Sequence, residues 1–219
     1  RAKTVAAERL FKAYKDDPVA TTLQRRAGVA RLYEDFVAAP SPESFEKFYL
    51  ASKAAQEQDL PGVPARSLPK KFISGVAMQL QQTTVDGGAE NAAAQLSSLQ
   101  QMAGRHWPAV SRDLYAEKAM TDDQYVAANA QASGHPSVAR DLLRVSELKE
   151  ADLNALAGSP SARGEARSKA VKALGPMYQS LVDQPGGVAI ANAQVNSLEK
   201  LILFRQSQGQ RVGASDAKR

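Results

Sequence analysis

Apolar residues recur along this chain three and four positions apart, the spacing of one helix face. Nowhere do β-branched residues alternate with polar ones for long enough to make a strand. The pattern predicts a helix over residues 2–14 on Val5, Leu10, Phe11 and Tyr14, and a second over 18–39 on Leu23, Val29, Leu32, Phe36 and Val37. Asp17-Pro18 supplies a cap and first helical residue, and Pro40 ends the second helix. Ser41-Pro42 starts a third, whose Phe45, Phe48 and Tyr49 anchor the N-terminal core, with the small Ser52 one turn on. Helices follow over 70–82 with Phe72, Ile73, Val76 and Leu80, and over 89–105 with Leu96, Leu99 and Met102. Asp86-Gly-Gly88 breaks the chain between them. Thr121-Asp-Asp-Gln124 has the form of a capping box. A helix from about residue 165 carries Val171, Leu174, Met177, Tyr178 and Leu181, with Pro176 inside it as a kink or a split. After the Pro185-Gly-Gly187 turn, a last helix over 188–208 carries Ile190, Val195, Leu198, Leu201, Ile202 and Phe204.

Two stretches nearly repeat each other 28 positions apart, Pro108-Ala-Val-Ser-Arg-Asp-Leu114 and Pro136-Ser-Val-Ala-Arg-Asp-Leu142. Downstream the copies keep their apolar register, Met120 answering to Leu148, Tyr125 to Leu153 and Ala128 to Leu156. A unit of two short helices at this period is the signature of stacked helical hairpins. The expected fold is therefore all-α, a helical-hairpin repeat or bundle array of about nine to eleven helices with no β-sheet. Asp59 to Pro69 holds three prolines and a glycine and does not continue a helix. The expected organisation is an N-terminal helical bundle over 1–58, a Pro-rich crossover or linker over 59–69, a hairpin repeat region over 70–208, and a disordered polar tail over 209–219.

Composition adjusts this picture in three ways. The 219 residues are 43% hydrophobic but only 6% aromatic, so the core is built largely of small side chains. There is no cysteine, which excludes disulfides, thiolate zinc sites and a cysteine nucleophile. The net charge of +5 arises from 28 basic and 23 acidic residues interspersed along the chain, unlike the one-sided clustering of a dedicated nucleic-acid binder. Nucleic acid is a candidate partner only through short cationic features such as Arg25-Arg26, Lys70-Lys71 and the tail with Arg211, Lys218 and Arg219. The most apolar run, Leu201 to Phe204, is far shorter than the ~18–20 residues of a membrane span. No signal peptide is visible, and a start at Arg1 rather than Met leads us to expect a trimmed fragment or one region of a longer polypeptide.

Candidate chemistry is sparse. His106 and His135 precede the two repeat prolines, at offsets of two and one, and read either as a metal or acid–base pair or as turn residues at helix starts. A metal would need a further ligand from elsewhere. Arg112-Asp113 and Arg140-Asp141 recur in both copies, either as a ladder for carboxylates or phosphates or as ion contacts joining one hairpin to the next. Trp107 is a packing anchor or an exposed contact residue. Trp107, Tyr115, Arg112 and Arg140 are the candidate protein contacts, and a concave face clustering Trp107, Tyr115 and Tyr125 would mark a peptide groove. No catalytic residue, cofactor or metal site is assigned, and no small-molecule substrate is identified.

Two resemblances bear on function. Ser74-Gly-Val-Ala-Met-Gln-Leu80 is similar to the Gly-Leu-Met-Gln stretch of lytic transglycosylases, but the upstream acid here is Glu57-Gln58 where that family has Glu-Ser. The stretch from Leu96 to Leu114, with its Gly104-x-x-Trp107-Pro108-x-Val110 pattern, resembles the internal virion, or ejection, proteins of short-tailed phages over about residues 90–160. That resemblance implies a non-enzymatic assembly region of a larger virion protein, held in the capsid interior and delivered to the bacterial envelope during genome ejection. Its partners would be further copies of the chain or sibling virion proteins. The alternative is an α-repeat scaffold of a bacterial effector or regulator, cytoplasmic, gripping a peptide or protein.

Overall fold

The computed structural model describes residues 2–146, 148–183 and 187–209, and the side chains among these except 2–7 and 84–87. Over them the chain folds into twelve α-helices with no strand. In order these are α1 (Ala2–Asp16), α2 (Pro18–Arg25), α3 (Ala27–Ala38), α4 (Pro42–Asp59), α5 (Lys70–Ala103), α6 (Trp107–Ala116), α7 (Asp122–Ala132), α8 (Pro136–Val145), α9 (Glu150–Ala157), α10 (Pro160–Leu174), α11 (Pro176–Val182) and α12 (Gly187–Ser207). Six of them, α2, α4, α6, α8, α10 and α11, carry proline in the first turn, where its missing N–H costs nothing. Side-chain caps complete several of these starts. Asp17 Oδ1 accepts from the Ala20 N–H at 2.9 Å, Ser41 Oγ from Ser44 at 3.1 Å, and Ser159 Oγ from Ala162 at 3.1 Å. Thr121 and Gln124 form the reciprocal capping box read from the sequence.

Three helix boundaries differ from the sequence reading. The stretch 18–39 is two helices, because Arg26 leaves helical geometry at φ −121°, ψ 89°. The break at Asp86-Gly-Gly88 narrows to a single residue, Gly88 at φ 64°, within α5. The helix expected from about residue 165 begins at Pro160 on its Ser159 cap, and Gly175-Pro176 splits it from α11. Phe11, Val37, Val171 and Met177, expected on apolar faces, stand exposed. The tail expected to be disordered lies outside the described residues from 210 onward, as does most of the Pro185-Gly-Gly187 turn.

The chain divides into two compact units, one of Arg1–Gln81 with Ser98–Ala119 and one of Gln82–Ser97 with Met120–Arg219. The first is organised by aromatic rings. Phe36 on α3 stacks on Phe48 at 6.0 Å, meets Phe45 edge-on at 5.4 Å and lies 5.7 Å from Phe72 of α5. Phe36, Phe45 and Phe48 have no exposed surface. The second is organised around α12, which packs against α7, α8, α9, α10 and α11 through Ala191, Val195, Leu201 and Leu203 among others. Residues 59–69 lie wholly inside the first unit, and the two copies of the repeat fall one in each unit.

Helices α6 and α7 end in the same way with different residues. In each, an amide N–H reaches back five residues, Ala119 to the Leu114 carbonyl at 2.8 Å and His135 to the Ala130 carbonyl at 2.9 Å. The residue before that donor must take a positive φ. It is Gly134 at 84° after α7 but Lys118 at 59° after α6, the one non-glycine among the described residues with positive φ. Lys118→Gly is expected to stabilise the first unit by about 0.5–1 kcal/mol, since relief of left-handed strain outweighs the added freedom of the unfolded chain. A lowered denaturation midpoint would contradict this.

Candidate functional site

The structure separates the two members of the repeated Arg-Asp step. Asp113 on α6 is buried. Its Oδ2 accepts from the Ser67 N–H at 2.6 Å and the Ser67 hydroxyl at 2.7 Å, and its Oδ1 accepts from Arg66 at 3.2 Å. Gln56 on α4 holds the same turn, taking the Arg66 N–H at 2.9 Å and donating to the Arg66 carbonyl at 3.0 Å. Asp17 accepts the Lys70 N–H at 3.0 Å. The proline-rich stretch is thus an ordered crossover, with the Arg66 and Ser67 N–H groups taken by side chains of α4 and α6 and the start of α5 held by Asp17. Asp141 on α8 turns to a different partner, taking Arg205 Nε at 3.0 Å and Nη2 at 2.9 Å on one oxygen. Arg112 and Arg140 are exposed and make no ion pair among the described residues. The contact role expected of each Arg-Asp pair therefore belongs to the aspartates alone, and the arginines are left to solvent.

Trp107 is 3% exposed, and its indole N–H is buried without a hydrogen-bond partner. Tyr115 is half-buried in the first unit, and Tyr125 is buried in the second. The aromatic cluster imagined for a peptide groove is not assembled on an exposed face, and Trp107 is the packing anchor. His106 sits in the 3₁₀ turn before α6, its ring 4.6 Å from Tyr49 and its Nε2 3.8 Å from Glu46. Burial, with Arg105 beside it, lowers the His106 pKa from the ordinary imidazole range. His135 is at the start of α8 in the other unit. Both histidines are turn residues at helix starts. Among the described residues no group of three or more His, Asp or Glu is arranged to hold a metal ion. In the stretch similar to lytic transglycosylases, Val76 and Leu80 are core residues of α5, and Glu57 pairs with Lys53 at 2.5 Å along α4.

The carboxylates that organise the second unit were not singled out in the sequence. Asp123 is buried and accepts from the Ser197 hydroxyl at 2.7 Å and Lys200 Nζ at 2.6 Å, tying α7 to α12. Glu199, also buried, takes Arg163 at 2.9 Å and Arg167 at 3.0 Å, tying α10 to α12. Arg163 bonds Glu150 and Asn154 as well, and its hydrogen bonds to Glu150 and Glu199 raise its pKa further. Each site is spaced like an ordinary helix position, and only the tertiary partner marks it.

Asp59, at the end of α4, plays the corresponding part near α2. It accepts from the Tyr14 hydroxyl and from Arg26 at 2.5 Å, with Arg25 at 3.9 Å. The Tyr14 hydrogen bond, then that of Arg26, holds its carboxyl below the ordinary range. A carboxylate depressed in the folded state stabilises the fold above its ordinary pKa and loses that contribution as pH falls through the depressed value. Asp59→Asn is therefore expected to flatten the loss of stability on acidification below about pH 4. Urea midpoints at neutral and acid pH test this, and equal acid sensitivity in variant and parent would reject it.

No helix among the described residues is long and apolar enough to cross a membrane. No protein-family model, curated protein or solved structure matches this chain.

Proposed function

We propose that this chain is a non-enzymatic structural and assembly region of a larger phage virion protein of the internal, ejection type. The observation that carries the structural half of this reading is the disposition of charge. Among the described residues three carboxylates are buried, Asp113, Asp123 and Glu199, and each is engaged in holding a crossover or a neighbouring helix. The repeated arginines meanwhile face solvent, where they are free to meet another chain. Carboxylates arranged this way fix helices in place. The virion half is supported by the Gly104-x-x-Trp107-Pro108-x-Val110 resemblance, within which Trp107 and Val110 serve as core anchors. Assembly predicts that the chain self-associates or binds sibling virion proteins, within the capsid and then at the bacterial envelope. Sedimentation velocity of the purified chain over a wide concentration range, alone and with proteins extracted from the same particles, tests it. Concentration-dependent association or co-sedimentation is the expected result. A strictly monomeric chain with no affinity for those proteins would overturn it.

A further inference from the structure

The broken joint between α2 and α3 opens a groove against α4 of about 810 Å³. Its lining is made largely of small residues, together with Val29 and Gln58. Ala51, Ala54 and Ala55 present one face of α4, and Gly28 opposes them with nothing within 4 Å of where a Cβ would stand. Leu50, 46% exposed, extends the apolar strip by one position on α4. One end of the groove is cationic. Arg25 and Arg26 line it, and no carboxylate does. Asp59 is the single carboxylate shared by the two guanidiniums, close to Arg26 and 3.9 Å from Arg25, so one positive charge is left over. The first turn of α3 adds to it, because Arg26 gives that helix no side-chain cap and its dipole ends at the groove.

We infer that this groove docks an amphipathic helix of another protein, one carrying a ridge of large apolar side chains and a carboxylate that meets Arg25. An alanine floor lets a second helix axis approach closely, and large side chains on the incoming helix then fill the space the floor leaves. The charge of the rim selects acidic over basic helices and sets their direction in the groove. The inference rests on the assembly reading, to which it gives a docking surface and a partner chemistry.

The test uses the full chain and a synthetic helical peptide of about 18 residues, five turns. The peptide is built of Leu, Ala and Glu, with a control in which every Glu is Lys, and binding is read by fluorescence anisotropy. The acidic peptide is expected to bind at about 100 μM or below and the basic one at least about tenfold more weakly. Ala54→Trp, at an exposed position, fills the groove and should weaken the acidic peptide by at least about tenfold. Arg25→Glu should weaken it by about tenfold and strengthen the basic peptide, a charge exchange that misfolding would not produce. Equal binding of both peptides, no binding, or binding indifferent to Ala54→Trp would overturn the inference. Sedimentation of the same variant separates the two readings. Self-association that survives Ala54→Trp while the peptide fails to bind rejects the groove and leaves the assembly reading standing. Self-association that Ala54→Trp abolishes makes the occupant a second copy of this chain and also overturns the inference. A monomer that still binds the acidic peptide upholds the groove and rejects self-assembly.

Discussion

Phe36→Ala should remove about 3–5 kcal/mol from the stability of the first unit, the usual cost of truncating a fully buried phenylalanine. The site leaves little room for relief. Phe36 has no exposed surface and contacts Phe45, Phe48 and Phe72, which come from two other helices, so a cavity there is walled by rings that cannot all move inward together. Loss of four ring pairings, the fourth with Tyr33 at 6.3 Å, adds to the loss of buried area. Since domains have only about 5–15 kcal/mol in total, the variant should sit near its folding threshold. A fall of about 10–25 °C in melting temperature is expected, read by the far-ultraviolet circular dichroism of the helices. Phe36→Leu keeps most of the volume and should cost less than half as much. A melting temperature within about 3 °C of the parent for Phe36→Ala would show that the aromatic cluster does not organise the unit.

Asp113→Ala is expected to cost a comparable about 3–5 kcal/mol, for an electrostatic reason. The carboxylate takes two buried donors from Ser67 and a third from Arg66. Removing it strands the Ser67 N–H inside a crossover whose prolines leave few other backbone donors to rearrange. Asp113→Asn can keep both Ser67 donors on its one oxygen but turns an amide donor toward Arg66, so it should recover only part of the loss. The control lies one residue away. Arg112→Ala and Arg140→Ala, in the same repeated step, should change stability by no more than about 0.5 kcal/mol, because both side chains stand in solvent without an ion pair among the described residues. Guanidinium unfolding of the four variants gives the comparison, and an Asp113→Ala midpoint equal to that of Arg112→Ala would refute it.

What the sequence made legible was local. Asp17, Ser41 and Thr121 announce their helices because a cap and its N–H lie three residues apart. Gly88 and Gly175-Pro176 announce their breaks because backbone sterics act on the residue itself. The break at Arg26 carries no such mark, and its geometry goes with a guanidinium pinned to Asp59, 33 positions away. The same holds for the organising carboxylates. Asp113 finds Ser67 across 46 residues, Asp141 finds Arg205 across 64 and Asp123 finds Ser197 across 74. A repeat of seven residues predicts two alike helices correctly and yet cannot predict their partners, since Arg-Asp is equally suited to an N–H, a hydroxyl or a guanidinium. The candidate contacts divided for the same reason: an isolated Trp107 gives no sign of which side of its helix the core will occupy.

The interleaving of the two units imposes an order of events on the ribosome. The chain enters the first unit, leaves it at Gln81, returns at Ser98 and departs again after Ala119. Arg66 and Ser67 emerge long before Asp113, the residue that satisfies them. At about 5–20 residues per second, the crossover waits several seconds with its donors open to water before α6 arrives to close it. A truncation at residue 97 therefore yields the aromatic helices without their clasp, and the nascent chain passes through that same unfinished state each time it is made.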